Sequence, residues 1–362
     1  MKKLLFAAYS LDVGGIEKAL VTLTNYLQKQ GYDITIVLEK KQGEFLNNLN
    51  KKIKVIEYRP NENKNIIKRK IINLIKRVRF IIKYKNKFDF SASFATYSIA
   101  ASFISRVASK NSCLWVHTDY LVLYDNDIEQ IKKFFNERKY KKFRNIAIVS
   151  KEAKKNFVKI FPDVKERCFQ CNNLVDYKKI QELSNFDVNV EKNRDTTLFV
   201  NVSRHEEKAK KITRIIEAAE KLKNDKLKFK ILLVGEGEST EKYKEMVSEK
   251  KLESNIIFLG QKQNPYPYLK KADCVILTSE YEGYPVVFLE SFVLNKPLIT
   301  TKVSDYQEVE NGRGYVTEKD VDDIYDKMKL FIKKGYKIEN RFDGNKYNEK
   351  IFKKIKKIIE EK

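Results

Sequence analysis

One stretch of the sequence carries two glutamates whose spacing suits the binding of a sugar. It runs from Ser279 to Glu290, directly after an apolar run that predicts a strand. Glu282 precedes the predicted helix of this stretch, and Glu290 lies about two turns inside it, so both carboxylates can flank one ligand. Carboxylates accept hydrogen bonds from sugar hydroxyls, whereas one early glutamate would only complement the helix dipole. The pair therefore favours a ligand site.

The residues between these glutamates predict an anion site at the start of the helix. Gly283 lets the backbone approach a ligand, and Pro285, after Tyr284, suits the first helical position. The amides of Val286 and Val287 would then have no partner inside the helix and would face an anion. A diphosphate group fits such a terminus.

Basic side chains follow the strand predicted to end at Val202. Arg204 comes first, and Lys208, Lys210 and Lys211 stand a few residues later. The positive charge suits an anionic ligand. Each lysine taken alone is equally well explained as part of a surface loop in a lysine-rich chain.

In the first half of the chain, His117 and a glycine pair stand where a ligand could bind. His117 follows the strand predicted over residues 113–116, and open α/β sheets bind ligands at the carboxyl ends of their strands. We favour a functional role for it, whereas the only other histidine, His205, is assigned none. Gly14 and Gly15 open the first predicted helix without forming the G-x-G-x-x-G pattern, which argues against an NAD-dependent enzyme.

Strand and helix patterns alternate through both halves of the sequence, from residue 4 to 116 and from residue 198 to 301. This alternation predicts an α/β protein with two doubly wound, Rossmann-like domains. A polar stretch near residue 180 separates them, so we place the domains at residues 1–180 and 181–345. Residues 346–362 predict a last amphipathic helix, which can pack back on the N-terminal domain.

Composition restricts the class of protein without identifying it. The 73 Lys and Arg outnumber the 49 Asp and Glu, giving a formal net charge of +24. This charge favours nucleic acid, lipid headgroups or sugar nucleotides as partners, although a general bias toward lysine explains it equally well. The four cysteines form no complete metal site, and Asp125 and Asp127 are better explained as helix caps than as metal ligands. No metal or cofactor is expected.

The helix predicted over residues 66–83 is strongly amphipathic. Its apolar side includes Ile67, Ile71, Leu74 and Val78, and its other side carries lysines and arginines. We expect the apolar side to pack on the sheet. The basic side is then either solvated or rests on anionic lipid.

The Glu282 and Glu290 spacing resembles the E-x7-E signature of retaining glycosyltransferase family 4, within the glycosyl transferases group 1 of GT-B fold. Other landmarks of that family stand in the same order over nearly the whole chain. The resemblance implies two domains that face each other across a cleft, with the acceptor on the first and the donor on the second. In that family the first glutamate contacts hydroxyls of the donor sugar and the second contacts the ribose.

The resemblance also implies roles for residues whose own patterns are weak. Arg204 and a lysine correspond to the pair that clamps the donor diphosphate and offsets charge on the leaving group. The common family spacing falls on Ala209, so Lys208 and Lys210 both remain candidates, with Lys210 preferred. His117 corresponds to the family's histidine near the hydroxymethyl group of the donor sugar.

Glycines and an apolar strand complete the implied donor site. Gly235 and Gly237 resemble the family's glycine turn beside the nucleotide. Phe258 and Gly260 lie in a segment that resembles the one whose backbone reads the base, although a plain buried strand explains it equally well. The Gly14–Gly15 pair would meet the phosphate and the acceptor from the first domain.

The implied activity is that of a metal-independent, retaining hexosyltransferase. The donor would be a nucleotide-diphosphate sugar, with a uridine-diphosphate sugar as the family's usual case, and the acceptor a glycan or lipid-linked acceptor of bacterial surface polysaccharide. The expected location is the cytoplasm, with peripheral contact at the inner face of the membrane left open. The rival is a non-enzymatic binder of nucleic acid or another anionic polymer, which the charge supports but no recognition motif does.

Overall fold

The computed structural model describes residues 1–12 and 14–360. The chain divides into two compact units, one of residues 1–174 with the segment from residue 348 onward, and one of residues 175–347. The sequence-based boundary after residue 180 falls inside a helix, Tyr177–Leu183, that packs on helices of the second unit. The division therefore lies between Leu174 and Val175.

The first unit has a parallel sheet with helices in the connections between its strands. Its strands in the described residues are β1 (Lys3–Ala8), β2 (Asp33–Leu38), β3 (Lys54–Glu57), β4 (Phe90–Ser93), β5 (Ser112–Val116), β6 (Asn145–Ile148) and β7 (Cys168–Gln170). Its helices are α1 (Gly15–Lys29), α2 (Ile66–Tyr84), α3 (Ile99–Ala108), α4 (Tyr120–Leu123), α5 (Ile128–Glu137) and α6 (Lys151–Ile160). The strand order is β3-β2-β1-β4-β5-β6-β7.

The second unit repeats this arrangement. Its helices are α7 (Tyr177–Leu183), α8 (Glu207–Lys210), α9 (Ile212–Asn224), α10 (Thr240–Glu249), α11 (Tyr266–Lys271), α12 (Val286–Val293), α13 (Gln307–Glu310), α14 (Val321–Lys334) and α15 (Gly344–Glu360). Helix α15 begins in this unit, and its residues from 348 onward belong to the first unit. Its strands are β8 (Thr197–Val202), β9 (Phe229–Val234), β10 (Ile256–Gly260), β11 (Cys274–Leu277), β12 (Leu298–Thr301) and β13 (Gly314–Thr317). They pair in parallel in the order β10-β9-β8-β11-β12-β13.

The predicted architecture of two doubly wound, Rossmann-like domains is confirmed. In each sheet the first strand of the unit lies third from one edge, and the strand order reverses beside it, between β1 and β4 and between β8 and β11. Open α/β sheets bind ligands in the crevice outside such a switch point. The loops after these four strands are therefore favoured positions for a site.

Helix α2 packs differently from the sequence-based expectation. Its one buried residue is Phe80, whose ring lies 5.3 Å from that of Tyr58 and 6.1 Å from that of Phe103. The predicted apolar side is instead exposed, including Ile67 and Leu74. The prediction that this side packs on the sheet is wrong, because aromatic residues on the opposite side of the helix make the contact.

None of the helices in residues 1–12 and 14–360 is both long and apolar enough to cross a lipid bilayer.

Candidate functional site

The loop between β11 and α12 holds the first predicted glutamate in a fixed position. The Glu282 carboxylate lies 2.5 Å from the Lys210 ammonium group and accepts a hydrogen bond of 2.7 Å from the Ser279 hydroxyl through the same oxygen. The Ser304 hydroxyl donates to the Glu282 carbonyl oxygen at 2.7 Å. Lys210 ends α8, so the structure brings together two residues that stand 72 positions apart in the sequence.

A second carboxylate in this loop anchors it to the rest of the unit. Arg214 donates to Glu280 at 2.6 Å and to the Thr278 carbonyl oxygen at 3.1 Å, and Lys319 donates to Glu280 at 3.0 Å. Burial would raise the pKa of Glu280, but hydrogen bonds from Lys319 and Arg214 outweigh burial and lower the pKa below its ordinary value. The loop is therefore clamped by cations on both of its neighbours, α9 and the segment before α14.

Sequence reasoning did not find Glu280, Arg214 or Lys319. The two cations come from other segments, so no local spacing marks them. The polar residues Thr278 and Ser279 at the carboxyl end of β11 were a usable signal, because ligand-site residues of parallel sheets concentrate at strand ends.

Helix α12 begins where the sequence predicts an anion site. Val286 is its first residue, and Pro285 occupies the position before it, with φ of −66° and ψ of 114°, rather than the first helical position. The side chain of Tyr284 is buried, and its hydroxyl donates to Glu308 at 2.9 Å. Glu290 is also buried, at 4% exposure, as are all residues of α12 from Val287 to Val293. The amide groups of Val286 and Val287 lie at the start of the helix, where no preceding helical carbonyl accepts from them.

The predicted basic residues lie in different surroundings. Arg204 is exposed and ion-pairs with Glu206 at 3.8 Å, and Lys208 is exposed on α8. Lys211 lies between α8 and α9, where its carbonyl oxygen accepts from the Thr278 hydroxyl at 3.0 Å. Lys210 contacts the predicted site residue Glu282, which is why we retain it as the preferred partner of Arg204.

Gly235 and Gly237 are required by the packing of two loops. A Cβ atom on Gly235 would lie 1.9 Å from the Ser203 carbonyl oxygen, and one on Gly237 would lie 2.3 Å from the His205 carbonyl oxygen. The side chain of His205 is fully buried, and its Nδ1 atom lies 2.9 Å from the Thr240 hydroxyl. The glycines thus hold the loop after β9 against the loop after β8, which carries Arg204.

Phe258 and Gly260 lie in and at the end of β10. Phe258 is half-buried against the hydrophobic core of the unit, as a plain core strand requires. The carbonyl oxygen of Gly260 accepts from the Gly235 amide at 3.0 Å, which joins this strand end to the glycine loop. The reading of a nucleotide base by this segment stays a prediction.

In the first unit, Gly14 and Gly15 lie at the start of α1 and His117 follows β5, as predicted from the sequence. The His117 ring lies 4.4 Å from the Phe94 ring, and its buried Nε2 atom has no hydrogen-bond partner among the described residues. Burial lowers the pKa of His117 to about 3, although a hydrogen bond with the Phe94 backbone acts in the opposite direction. The imidazole is therefore neutral at ordinary pH.

The residues rejected as metal ligands have structural roles. The Asp127 carboxylate caps α5 by accepting from the Gln130 amide at 2.9 Å, as the sequence predicted. The four cysteines are buried free thiols. Within the part of the chain that the structure describes, no group of three or more His, Cys, Asp or Glu residues could hold a metal ion.

Comparisons with known proteins found similar glycosyltransferases. Residues 184–349 match the family model described as glycosyl transferases group 1. An uncharacterized glycosyltransferase of Methanocaldococcus jannaschii is 27% identical over 52% of this chain, and the match spans about half, 47%, of that relative. A second relative is a 4-alpha-N-acetylgalactosaminyltransferase of Campylobacter jejuni, whose acceptor is an N-acetylgalactosamine-N,N'-diacetylbacillosaminyl-diphospho-undecaprenol. It is 24% identical over 83% of this chain and 81% of its own length.

Solved structures show the fold over both units. HepE of Anabaena, crystallised with UDP and glucose, superposes with a TM-score of 0.77 at 17% identity, covering 98% of this chain and 99% of that one. The resemblance stated from the sequence agrees with these findings: residues 184–349 match the glycosyl transferases group 1 model, and both units share the fold of the solved structures.

Proposed function

We propose that this chain transfers a sugar from a nucleotide-diphosphate donor to a glycan or lipid-linked acceptor in bacterial polysaccharide biosynthesis, with retention of the anomeric configuration. One observation carries the proposal, namely the Glu282 carboxylate fixed 2.5 Å from Lys210 a few residues before the start of α12. The activity of the Campylobacter jejuni relative supports the class of reaction, and UDP in the HepE crystal supports a uridine-diphosphate sugar as donor. Within the glycosyl transferases group 1, we propose that the chain is a member of retaining glycosyltransferase family 4.

Different residues of the second unit can bind different parts of the donor. The start of α12 offers amides to a phosphate, and Lys210 has three N–H donors, so it can keep Glu282 in place while it donates to a phosphate oxygen. Glu282 can accept hydrogen bonds from sugar hydroxyls, and Glu290, buried further along α12, is proposed for the ribose. Arg204 and Lys210 would offset the charge that grows on the leaving diphosphate.

We propose that no divalent metal is needed. Lys210, Arg204 and the amides at the start of α12 supply positive charge from the protein itself, which is the role that a metal plays in other phosphate sites. The four buried free thiols fit a reducing compartment, so the cytoplasm is the proposed location. A non-enzymatic binder of anionic polymers is not favoured, because the family match covers the unit that holds this site.

Nucleotide-sugar hydrolysis tests the proposal. The purified chain is incubated with a panel of nucleotide sugars in the presence of EDTA, and release of the nucleoside diphosphate is measured. We expect release from at least one uridine-diphosphate sugar, and a fall of about a hundredfold or more for Glu282→Gln, since one lost charged interaction in the transition state has about that effect. Tight binding of random DNA with no hydrolysis of any donor would favour the rival class instead.

A further inference from the structure

The feature that the proposed transfer leaves unexplained is the exposed side of α2. Seven of its large apolar residues have exposed fractions between 45% and 77%, which is unusual for a helix of a soluble domain. They are Ile66, Ile67, Ile71, Leu74, Ile75, Val78 and Ile82. From Ile67 to Ile82, six of them lie on one face at helical spacing and form a continuous row of about 22 Å, which we call the apolar stripe.

The opposite side of α2 fixes the helix to the first unit, so the stripe cannot simply rotate inward. Asn73 exchanges hydrogen bonds with the backbone of Asn61, at 2.6 Å and 3.1 Å, and Lys76 donates to the Arg59 carbonyl oxygen at 2.7 Å. Phe80 packs among aromatic rings on the same side. The outward orientation of the stripe is therefore built into the contacts of the helix.

The last helix of the chain provides an internal comparison. Like α2, α15 is rich in lysine and amphipathic. Its apolar residues Ile351, Ile355 and Ile358 have exposed fractions of 2% or less, and all its lysines except the half-buried Lys354 are exposed. A lysine-rich amphipathic helix of this protein can therefore bury its apolar face, as α15 does. The exposed apolar face of α2 thus needs an explanation of its own.

Charge identifies the partner that fits the stripe. Residues 66–84 contain seven lysines and arginines and no acidic residue. By helical spacing Lys68 and Arg79 flank one edge of the stripe, and Lys70 flanks the other. Such a helix, apolar on one face and basic at its edges, matches a surface that is apolar inside and negatively charged at its rim. A second copy of α2 would bring like charges together and fits less well.

We propose that α2 is an interfacial membrane helix that inserts its apolar stripe into an anionic lipid bilayer while lying parallel to the membrane plane. The seven charged side chains exclude an arrangement across the hydrocarbon core, where each would be costly. Lying in the plane, the helix buries the stripe among acyl chains, and its edge lysines and arginines contact lipid phosphates. This inference does not depend on the sugar-transfer activity.

Vesicle binding by the full chain tests the insertion. Co-sedimentation is measured with vesicles of phosphatidylcholine alone and of phosphatidylcholine mixed with phosphatidylglycerol. We expect binding to the mixed vesicles, and a loss of affinity of about a thousandfold for the triple variant Ile67→Gln, Leu74→Gln and Val78→Gln, since each buried apolar side chain contributes roughly tenfold. The control Phe186→Gln removes an apolar residue of 62% exposure in the second unit and should bind as the wild type does.

A charge-matched pair tests the contribution of the basic edges. Lys68→Gln with Arg79→Gln should weaken binding to mixed vesicles by about thirtyfold, since each basic residue near the surface contributes roughly a factor of five to six. Lys353→Gln with Lys356→Gln removes the same charge from exposed positions on α15 and should leave binding nearly unchanged. Equal losses in both pairs would show a non-specific effect of net charge and would contradict the proposal.

Two further measurements keep the result interpretable. The replaced residues are exposed, so the circular dichroism spectrum and melting temperature of the triple variant should match the wild type. In a separate Leu74→Trp variant, mixed vesicles should shift the indole emission to shorter wavelength, whereas the single native tryptophan, Trp115, is already buried. Absence of wild-type binding, binding that the triple variant retains, or a lipid-free dimer that the triple variant dissociates would each overturn the proposal.

Discussion

The half-buried residue His117 has one ring nitrogen that is buried and makes no hydrogen bond to the described residues. Burial lowers its pKa to about 3, and its Nε2 atom has no hydrogen-bond partner among the described residues. A buried polar atom without a partner usually indicates a ligand, a water molecule or strain. The neutral ring can donate or accept one hydrogen bond at this atom, which is the capacity that contact with a sugar hydroxyl needs.

His117→Gln should change the dependence of stability on pH. The pKa of His117 is lower in the folded state than its unperturbed value of about 6.5, so the unfolded chain binds more protons and stability falls as pH falls from about 6.5 toward 3. The variant lacks this contribution, and its deficit in unfolding free energy should be smaller at pH 5 than at pH 7 by about 1 to 2 kcal/mol. Urea unfolding of both proteins at the two pH values measures the difference.

The same variant separates a functional from a structural role. If His117 contacts the donor sugar, turnover should fall while the affinity for free nucleotide stays unchanged. A lowered melting temperature at pH 7 with normal turnover per folded molecule would return His117 to a structural role.

Glu280 is predicted to position the loop that carries Glu282. Glu280→Gln removes the carboxylate that accepts from Arg214 and Lys319, and we expect a loss of about 1 to 2 kcal/mol in unfolding free energy together with weaker nucleotide binding. The control Glu318→Gln breaks a more exposed ion pair between Glu318 and Lys302. The side chain of Lys302 is 44% exposed and that of Glu318 is 59% exposed. Exposed pairs contribute little, so that control should change stability by about 0.5 kcal/mol or less. Calorimetric titration with UDP and thermal melting compare the two, and equal effects would contradict the positioning role.

Among residues, those of the candidate site that follow a local spacing could be predicted and the others could not. Glu282, Glu290 and the start of α12 stand within a few residues of one another, so chain geometry alone relates them. The clamp on Glu280 involves residues 66 and 39 positions away. Long-range partners of this kind depend on the register of packed elements, which a single sequence does not specify.

At the scale of elements, periodicity predicted the existence of helices and strands better than their orientation. The strand predicted over residues 113–116 and the helix predicted over residues 66–83 agree with β5 and α2 to within a residue, because apolar spacing reflects the spacing of side chains in each element. For α2, the same periodicity indicates an amphipathic helix but does not say which side meets the sheet. In the structure, the side that carries Phe80 packs against aromatic residues, and the longer apolar stripe is exposed.

The glycine loop after β9 allows a prediction about an element contact. Gly235→Ala places a methyl group 1.9 Å from the Ser203 carbonyl oxygen at a backbone φ of +143°, so the loops after β8 and β9 must separate. We expect a loss of about 3 kcal/mol or more, together with weaker UDP binding, because Arg204 lies on the displaced loop. In the control Gly31→Ala, φ is +87° but nothing lies within 4 Å of the added atom, so only backbone strain of about 1 to 2 kcal/mol is expected. Chemical denaturation measures both, and a similar cost for the two variants would contradict the loop contact.

At the scale of the whole molecule, the net charge of +24 is not evidence for one ligand. Part of the charge surrounds the candidate site as Lys210, Arg214 and Lys319, where it is paired with Glu280 and Glu282. Another part lies on α2, where the helix has no acidic residue of its own. The two groups predict different partners, a nucleotide for the first and an anionic bilayer for the second, and the same overall composition serves both.

The two-unit organisation gives the metal-free proposal a sharp test. A chain with two compact units is not expected to unfold in a single two-state transition, so calorimetry should resolve the unit of residues 175–347 from the other. UDP with EDTA should raise the transition of the second unit by the equivalent of about 2.7 kcal/mol at a ligand concentration of a hundred times the dissociation constant. Lys210→Gln should reduce this shift, because one of the cations proposed for the diphosphate is lost, whereas the exposed Lys353→Gln should not. Stabilisation that disappears on adding EDTA and returns with magnesium would show that a metal holds the diphosphate, and the proposed role of Lys210 and Arg204 would then have to be given up.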